Sequence, residues 1–283
     1  MSMDQQFDEE EAGTMSFLDH LEVLRWHLFR IIIAVIIGAS LAFIFRSIVF
    51  DVIVLAPVFD SFVTYQLFCK LSHFMSFGDK LCFDSITFQL INITMAGQFT
   101  MHLIVSLFSG IILAFPYILF EVWGFIKPAL KKAEHNYARG IVFWGSLLFI
   151  TGVCFGYYLI TPLSVQFLGG YTVSDMVQNQ ISLRSYISTV TTITLSCGLV
   201  FQLPIVVYFL SKLGIVTPQL MKTYRRHAII AVLLLAAIIT PPDIFSLVLI
   251  AMPIFVLYEV SIGVSSIVNK KNKKRYEEQN SDW

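Results

Sequence analysis

Few side chains in this sequence are placed to do chemistry, and those few are isolated acids and amides rather than a catalytic set. Glu134 is the only acidic residue between Lys127 and Arg139. A carboxylate there can pair locally, for example with Lys131 about one turn back, or it can receive a cationic ligand. The second role suits arginine, whose planar guanidinium meets a carboxylate with two parallel hydrogen bonds. Spacing alone favours the local pair. Gln202 sits in Val200-Phe201-Gln202-Leu203-Pro204, inside a run without Asp, Glu, Lys or Arg. Its amide needs a partner where water is scarce. Two readings stand: it satisfies the carbonyl that Pro204 leaves without a donor one turn earlier, or it forms a polar patch on a concave face that receives another helix. Asp243 follows Thr240-Pro241-Pro242, a place where Asp commonly caps the next helix. Glu259 closes another apolar run and reads as a residue that snorkels or pairs with a basic neighbour.

Catalytic constellations are missing. There is no G-x-x-x-x-G-K-[ST] loop to cradle a nucleotide, no G-x-S-x-G elbow and no H-E-x-x-H helix. An enzyme reading therefore has no footing, and no cofactor or metal is expected. The histidines are scattered: His20 and His27 share a predicted helix but stand seven residues apart, too far for one tetrahedral site. His102, alone in an apolar run, reads as a packed, hydrogen-bonded residue. Cys154 and Cys197 also lie in apolar runs and read as small packing residues. Cys69 and Cys82 share one segment. On an oxidising side they can close a disulfide across thirteen residues, or they remain two thiols.

The elements that position these residues are membrane spans. Of 283 residues, 57 % are hydrophobic and 13 % charged, with mean hydropathy +0.76. A soluble domain carries about 25 % charged residues. Disorder needs the opposite composition, and a net charge of zero argues against nucleic acid as a partner. Charge-free runs long enough to cross about 30 Å of hydrocarbon predict six helices, at about 26–46, 97–120, 140–162, 186–211, 226–240 and 245–267. The fifth has only fifteen residues, about 22 Å of helix. Pro116, Pro204 and Pro253 fall inside spans and favour kinks. The first span follows acidic residues, so it is not expected to be a cleaved signal peptide. Fifteen of the nineteen Lys and Arg fall on one side of this topology; only Arg46, Lys70, Lys80 and Arg184 fall on the other. The positive-inside rule then puts both termini in the cytoplasm. Residues 1–13 read as an acidic disordered segment, 14–267 as one membrane domain and 268–283 as a charged cytoplasmic tail. Ser16 to His27 reads as a short surface helix, 47–95 as a long external segment, 121–139 as a basic cytoplasmic loop, 163–185 as an external loop, and 213–225 as a short cytoplasmic turn. No internal repeat is visible.

Several segments together resemble one family, the TatC subunit of the twin-arginine protein translocase. They are His20-Leu21 with Leu24-Arg25, Leu55-Ala56-Pro57, Phe120-Glu121-Val122-Trp123-Gly124-Phe125-Ile126-Lys127-Pro128-Ala129-Leu130, Gly198-Leu199-Val200-Phe201-Gln202-Leu203-Pro204, and Thr240-Pro241-Pro242-Asp243 with Phe245-Ser246. They occur in the family's order and spacing from about 15 to 267.

The resemblance implies an all-α membrane fold of six helices in a cupped arrangement, both termini cytoplasmic. It implies a receptor for signal peptides carrying paired arginines, acting with single-span TatA/TatB-type subunits, in a homo-oligomeric complex in the cytoplasmic membrane. Folded cargo would cross the lipid bilayer at the expense of the proton-motive force. Carried over by residue, Glu134 would accept the arginines, with Phe125, Pro128 and Leu130 shaping the loop and Arg25 in the site; either Glu22, about 100° round the helix from the family's acidic position, takes over that role after a small rotation, or Glu134 carries more of the recognition. Gln202 would be the polar point of the concave face. Pro241, Pro242 and Asp243 would order the external cap beside the partner-docking hairpin. This chain departs from the family at Val23, where a Glu is usual, and at Leu247, where many relatives are polar. The alternative function is a small-solute transporter or channel, with Gln202 and His102 lining a path.

Overall fold

The computed structural model describes residues 17–74, 89–126, 138–174, 176, 179–240 and 244–281. Helix α1 (Phe17–Ile44) is followed by a π-helical turn (Ile48–Val54), a 3-10 turn (Ala56–Val58) and α2 (Val63–Phe74). Strand β1 (Gln89–Ile91) leads to α3 (Gly97–Ile126), then α4 (Ala138–Phe155), a second π-helical turn (Gly156–Ile160) and α5 (Thr161–Gly170). Strand β2 (Gln180–Ser182) precedes α6 (Leu183–Val200), α7 (Leu203–Lys212), α8 (Pro218–Thr223), α9 (Arg225–Ile239) and α10 (Ile244–Ser281).

Among the described residues, six helical stretches are long and apolar enough to cross a membrane: Glu22–Ile44, Ile48–Phe74, Gly97–Ile126, Gly140–Gly170, Leu183–Lys212 and Ser246–Lys271. Only 11 to 28 % of the residues in their most apolar windows are buried inside the protein, so most of that surface needs a non-aqueous surrounding. Five of them overlap predicted spans. The predicted fifth span is α9, whose 15 residues are short, as expected. The other qualifying stretch, Ile48–Phe74, falls in the segment read as external. Asp51, Asp60 and Lys70 break its run of apolar residues in sequence, while its backbone still coils.

Three expected boundaries are corrected. The surface helix and the first span are one unbroken helix, because no Pro interrupts the chain between Phe17 and Ile44 and its one glycine, Gly38, stays in the helix. Residues 121–126 belong to α3 rather than to the loop. Residues 163–170 are helical, since Pro162 occupies the first turn of α5, where its missing N–H costs nothing. The segment 213–225 includes the short helix α8, capped by the Thr217 hydroxyl. Pro116 and Pro253 sit inside continuous helices, whereas the chain does break before Pro204, at Phe201-Gln202. The N-terminal segment 1–13 lies outside the described residues.

Two glycines set the main helix pair. A Cβ on Gly38 would lie 2.9 Å from the Gly110 carbonyl oxygen, and one on Gly110 would lie 2.5 Å from the Ala39 nitrogen. The backbones of α1 and α3 therefore touch, as small residues allow between membrane helices. Farther along, α3 meets α4 through the stacked rings of Phe115 and Phe149.

The non-α backbone of 48–58 has its carbonyls met by aromatic hydroxyls. Tyr186 donates to Val54 at 2.7 Å, Tyr157 to Ile53 at 2.6 Å and Tyr65 to Pro57 at 2.9 Å. Irregular backbone within an apolar layer is tolerated when protein groups satisfy it in this way. A three-residue parallel ladder, Gln89↔Gln180 to Ile91↔Ser182, ties together the connections before α3 and α6. At the other end α10 is held by the Ser211–Ser265 hydroxyl pair at 2.7 Å and by Tyr258, which donates to the Met221 carbonyl at 2.8 Å. Arg225 pairs with Glu259 at 2.5 Å, the basic partner read for that acid.

Candidate functional site

The described part of the predicted receptor site comes from two elements. Glu22 and Arg25 lie near the start of α1 with exposed side chains. Phe29, one turn on, carries the Arg25 guanidinium 5.5 Å above its ring. Phe125 lies in the last turn of α3, edge-on to the His27 ring with centroids 6.3 Å apart. Pro128, Leu130 and Glu134 lie outside the described residues, and so do Pro241, Pro242, Asp243 and Cys82. Cys69, on α2, is disulfide-bonded, while Cys154 and Cys197 are free.

Between these two elements the structure places a group that the sequence reading quoted only as part of a motif. Glu121 is 3 % exposed. Its Oε1 accepts from the Tyr117 hydroxyl at 2.6 Å, and its Oε2 accepts from His27 Nδ1 at 2.5 Å. Arg30 Nη1 stands 3.8 Å from the same oxygen. A buried carboxylate needs this many partners to offset its desolvation. The signal was in the spacing: Tyr117 and Glu121 are one turn apart on α3, and His27 and Arg30 one turn apart on α1.

Gln202 occupies the break between α6 and α7 and is 9 % exposed. Its Nε2 donates across to the Gly145 carbonyl of α4 at 3.0 Å, so it does not serve the local defect left by Pro204. Its Oε1 is buried and has no hydrogen-bond partner among the described residues. Leu247 packs half-buried against a cluster that includes Ile193, Ala236 and Ile250, an apolar place consistent with its type. His102 is packed by rings, stacked on Phe43 at 4.0 Å with Phe50 edge-on, while its Nε2 has no hydrogen-bond partner among the described residues.

Among the described residues the arrangement sets an exposed acid and base on α1, an aromatic ring on α3 and an ionic joint between the two helices. Known proteins resemble this chain over most of its length. The family model described as Sec-independent protein translocase protein (TatC) matches residues 19–253. The Sec-independent protein translocase protein TatC of Blattabacterium sp. subsp. Periplaneta americana is 38 % identical over 264 residues, covering 93 % of this chain and 99 % of that protein. The TatC protein of Aquifex aeolicus is 32 % identical over 261 residues, covering 92 % and 98 %. Two crystal structures of the twin-arginine translocase receptor TatC align with TM-scores of 0.69 and 0.71. Both are 31 % identical to this chain, and the alignments cover 88 % and 87 % of it and 99 % of each of theirs. With the helical fold, the spans and the ordered motifs in agreement, the chain belongs to the TatC family, the receptor subunits of the Sec-independent, twin-arginine translocase.

Proposed function

We propose that the face made by the start of α1 and the connection from α3 to α4 receives the paired arginines of a signal peptide, with Glu134 as the principal acceptor. The observation that carries this reading is the adjacency of two segments far apart in sequence. His27, two residues after Arg25, packs against Phe125, which leads directly into the stretch containing Pro128, Leu130 and Glu134. The exposed Glu22 adds a second carboxylate on α1, five residues before His27. Two guanidinium groups call for acids with bidentate geometry, which lysine cannot match. Transport then rests on single-span TatA/TatB-type subunits, several copies of this chain in the membrane and the proton-motive force, in keeping with the absence of a nucleotide loop. The excess of Lys and Arg on one side supports cytoplasmic termini. Gln202, the Pro241-Pro242-Asp243 turn and a Cys69–Cys82 disulfide belong to the same reading, as concave polar point, external cap and external staple.

The test is photo-cross-linking of the purified chain to a twin-arginine precursor. Cross-linking is expected with the wild-type chain, and loss is expected for Glu134→Ala and for a precursor whose two arginines are lysines. Unchanged cross-linking in both would overturn the assignment.

A further inference from the structure

Glu121 touches none of the exposed groups assigned to the peptide, yet it lies between the two elements that present them. An ionised carboxylate can only accept hydrogen bonds, so His27 carries its hydrogen on Nδ1. The ring is then held by three residues of one α3 face. Glu121 takes its hydrogen at 2.5 Å, Phe125 packs edge-on at 6.3 Å, and Gly124 leaves room where a Cβ would come within 3.2 Å of the His27 Cε1. These residues follow the i, i+3, i+4 pattern of a single helix face. Tyr117, one turn earlier, fixes the other carboxylate oxygen.

The position of this joint follows from the glycine crossing. Gly38 to His27 and Gly110 to Glu121 are each eleven residues, about three full turns in both helices. The face that touches at the glycines therefore returns at the polar pair, where α1 and α3 are held a second time. Two fixed points define the relative direction of two rods; one does not. Charge is the lesser part of the effect. The Arg30 side chain is 57 % exposed and 3.8 Å from the carboxylate, so water and salt screen it. The short, partly buried hydrogen bonds to His27 and Tyr117 carry the geometry.

We propose that Glu121 is a positioning residue for peptide recognition. By holding His27 to the last turns of α3, it presents Glu22 and Arg25 on α1 and Phe125 on α3 as one rigid face. This rests on the peptide-binding reading above, but its geometric arm can be measured without any peptide.

Spin labels at Leu24→Cys on α1 and Val122→Cys on α3, with Cys154 and Cys197 replaced by alanine, report the distance between the two elements. The full chain is expected to give a narrow distribution. Glu121→Leu is expected to broaden it, with helicity retained. Glu121→Gln keeps an acceptor for His27 and is expected to restore the narrow distribution. In parallel, affinity for a twin-arginine peptide is expected to fall about tenfold or more in Glu121→Leu, the weight of a lost buried hydrogen bond, and to recover in Glu121→Gln. If Glu121→Leu does not fold, His27→Phe removes the same bond while keeping ring packing, and the same broadening is expected. A distribution that stays narrow overturns the proposal, whatever happens to affinity. A broadened distribution with unchanged affinity overturns it too. If the unmodified chain binds no twin-arginine peptide while the distances respond as expected, the receptor reading fails and the clamp itself remains.

Discussion

Gln202 and Gly145 join two helices through one hydrogen bond and leave one vacancy. The amide nitrogen of Gln202 donates to the Gly145 carbonyl at 3.0 Å, and the amide oxygen is buried without a hydrogen-bond partner among the described residues. The bond contributes about 1 kcal/mol, while an unmet buried acceptor costs about 1–3 kcal/mol. Gln202→Leu is therefore expected to leave the thermal midpoint in detergent unchanged or raise it. A clear fall would show that the oxygen has a partner that matters for stability.

The crossing of α1 and α3 leaves no room for a methyl group. A Cβ on Gly110 meets backbone atoms, Ala39 N at 2.5 Å and Val35 O at 2.8 Å, and backbone cannot rotate aside. Gly110→Ala is expected to cost about 1–3 kcal/mol by overpacking, read as a lower thermal midpoint. Gly140→Ala, with nothing within 4 Å of the added carbon, is the control and should be neutral or slightly stabilising.

Tyr186 is 3 % exposed and gives its hydroxyl hydrogen to the Val54 carbonyl at 2.7 Å. Tyr186→Phe keeps the ring packing and strands that carbonyl in an apolar surrounding. A loss of about 1–3 kcal/mol is expected, together with faster proteolysis between Ile48 and Val58. An unchanged midpoint would mean that the carbonyl finds water instead.

Membrane orientation can be tested with reporter fusions. A fluorescent protein fused to either terminus should fold and fluoresce, and alkaline phosphatase joined after Tyr171 should be active, since it matures only on the oxidising side. The opposite pattern would contradict the fifteen-to-four distribution of Lys and Arg.

Charge-free runs made all six expected helices legible, the short α9 included, because a continuous apolar stretch leaves a helix as the only way to satisfy its backbone. Ile48–Phe74 escaped that logic. Its carbonyls are satisfied by Tyr157, Tyr186 and Tyr65, the first two more than a hundred residues away, and no local pattern announces such partners. The end of α3 was misplaced for a related reason. Glu121 looks like the start of a polar loop until His27, 94 positions earlier, is seen to pair with it. The short β1–β2 ladder has three residues a strand, too few for any periodicity. Arg25 and Phe125 stand in ordered motifs, with Glu22 beside one of them; the joint that brings their helices together was not legible.

The unbroken course of α1 has a mechanical consequence. Its 28 residues make a rod of roughly 42 Å, so roughly 12 Å must stand clear of a hydrocarbon layer roughly 30 Å thick. Because α1 is held to α3 both at Gly38 and at His27, a load on the end toward Phe17 does not turn α1 alone. The two helices carry it together, as a stiff pair, to the turn after Ile44, beside the segment that the tyrosines hold in place.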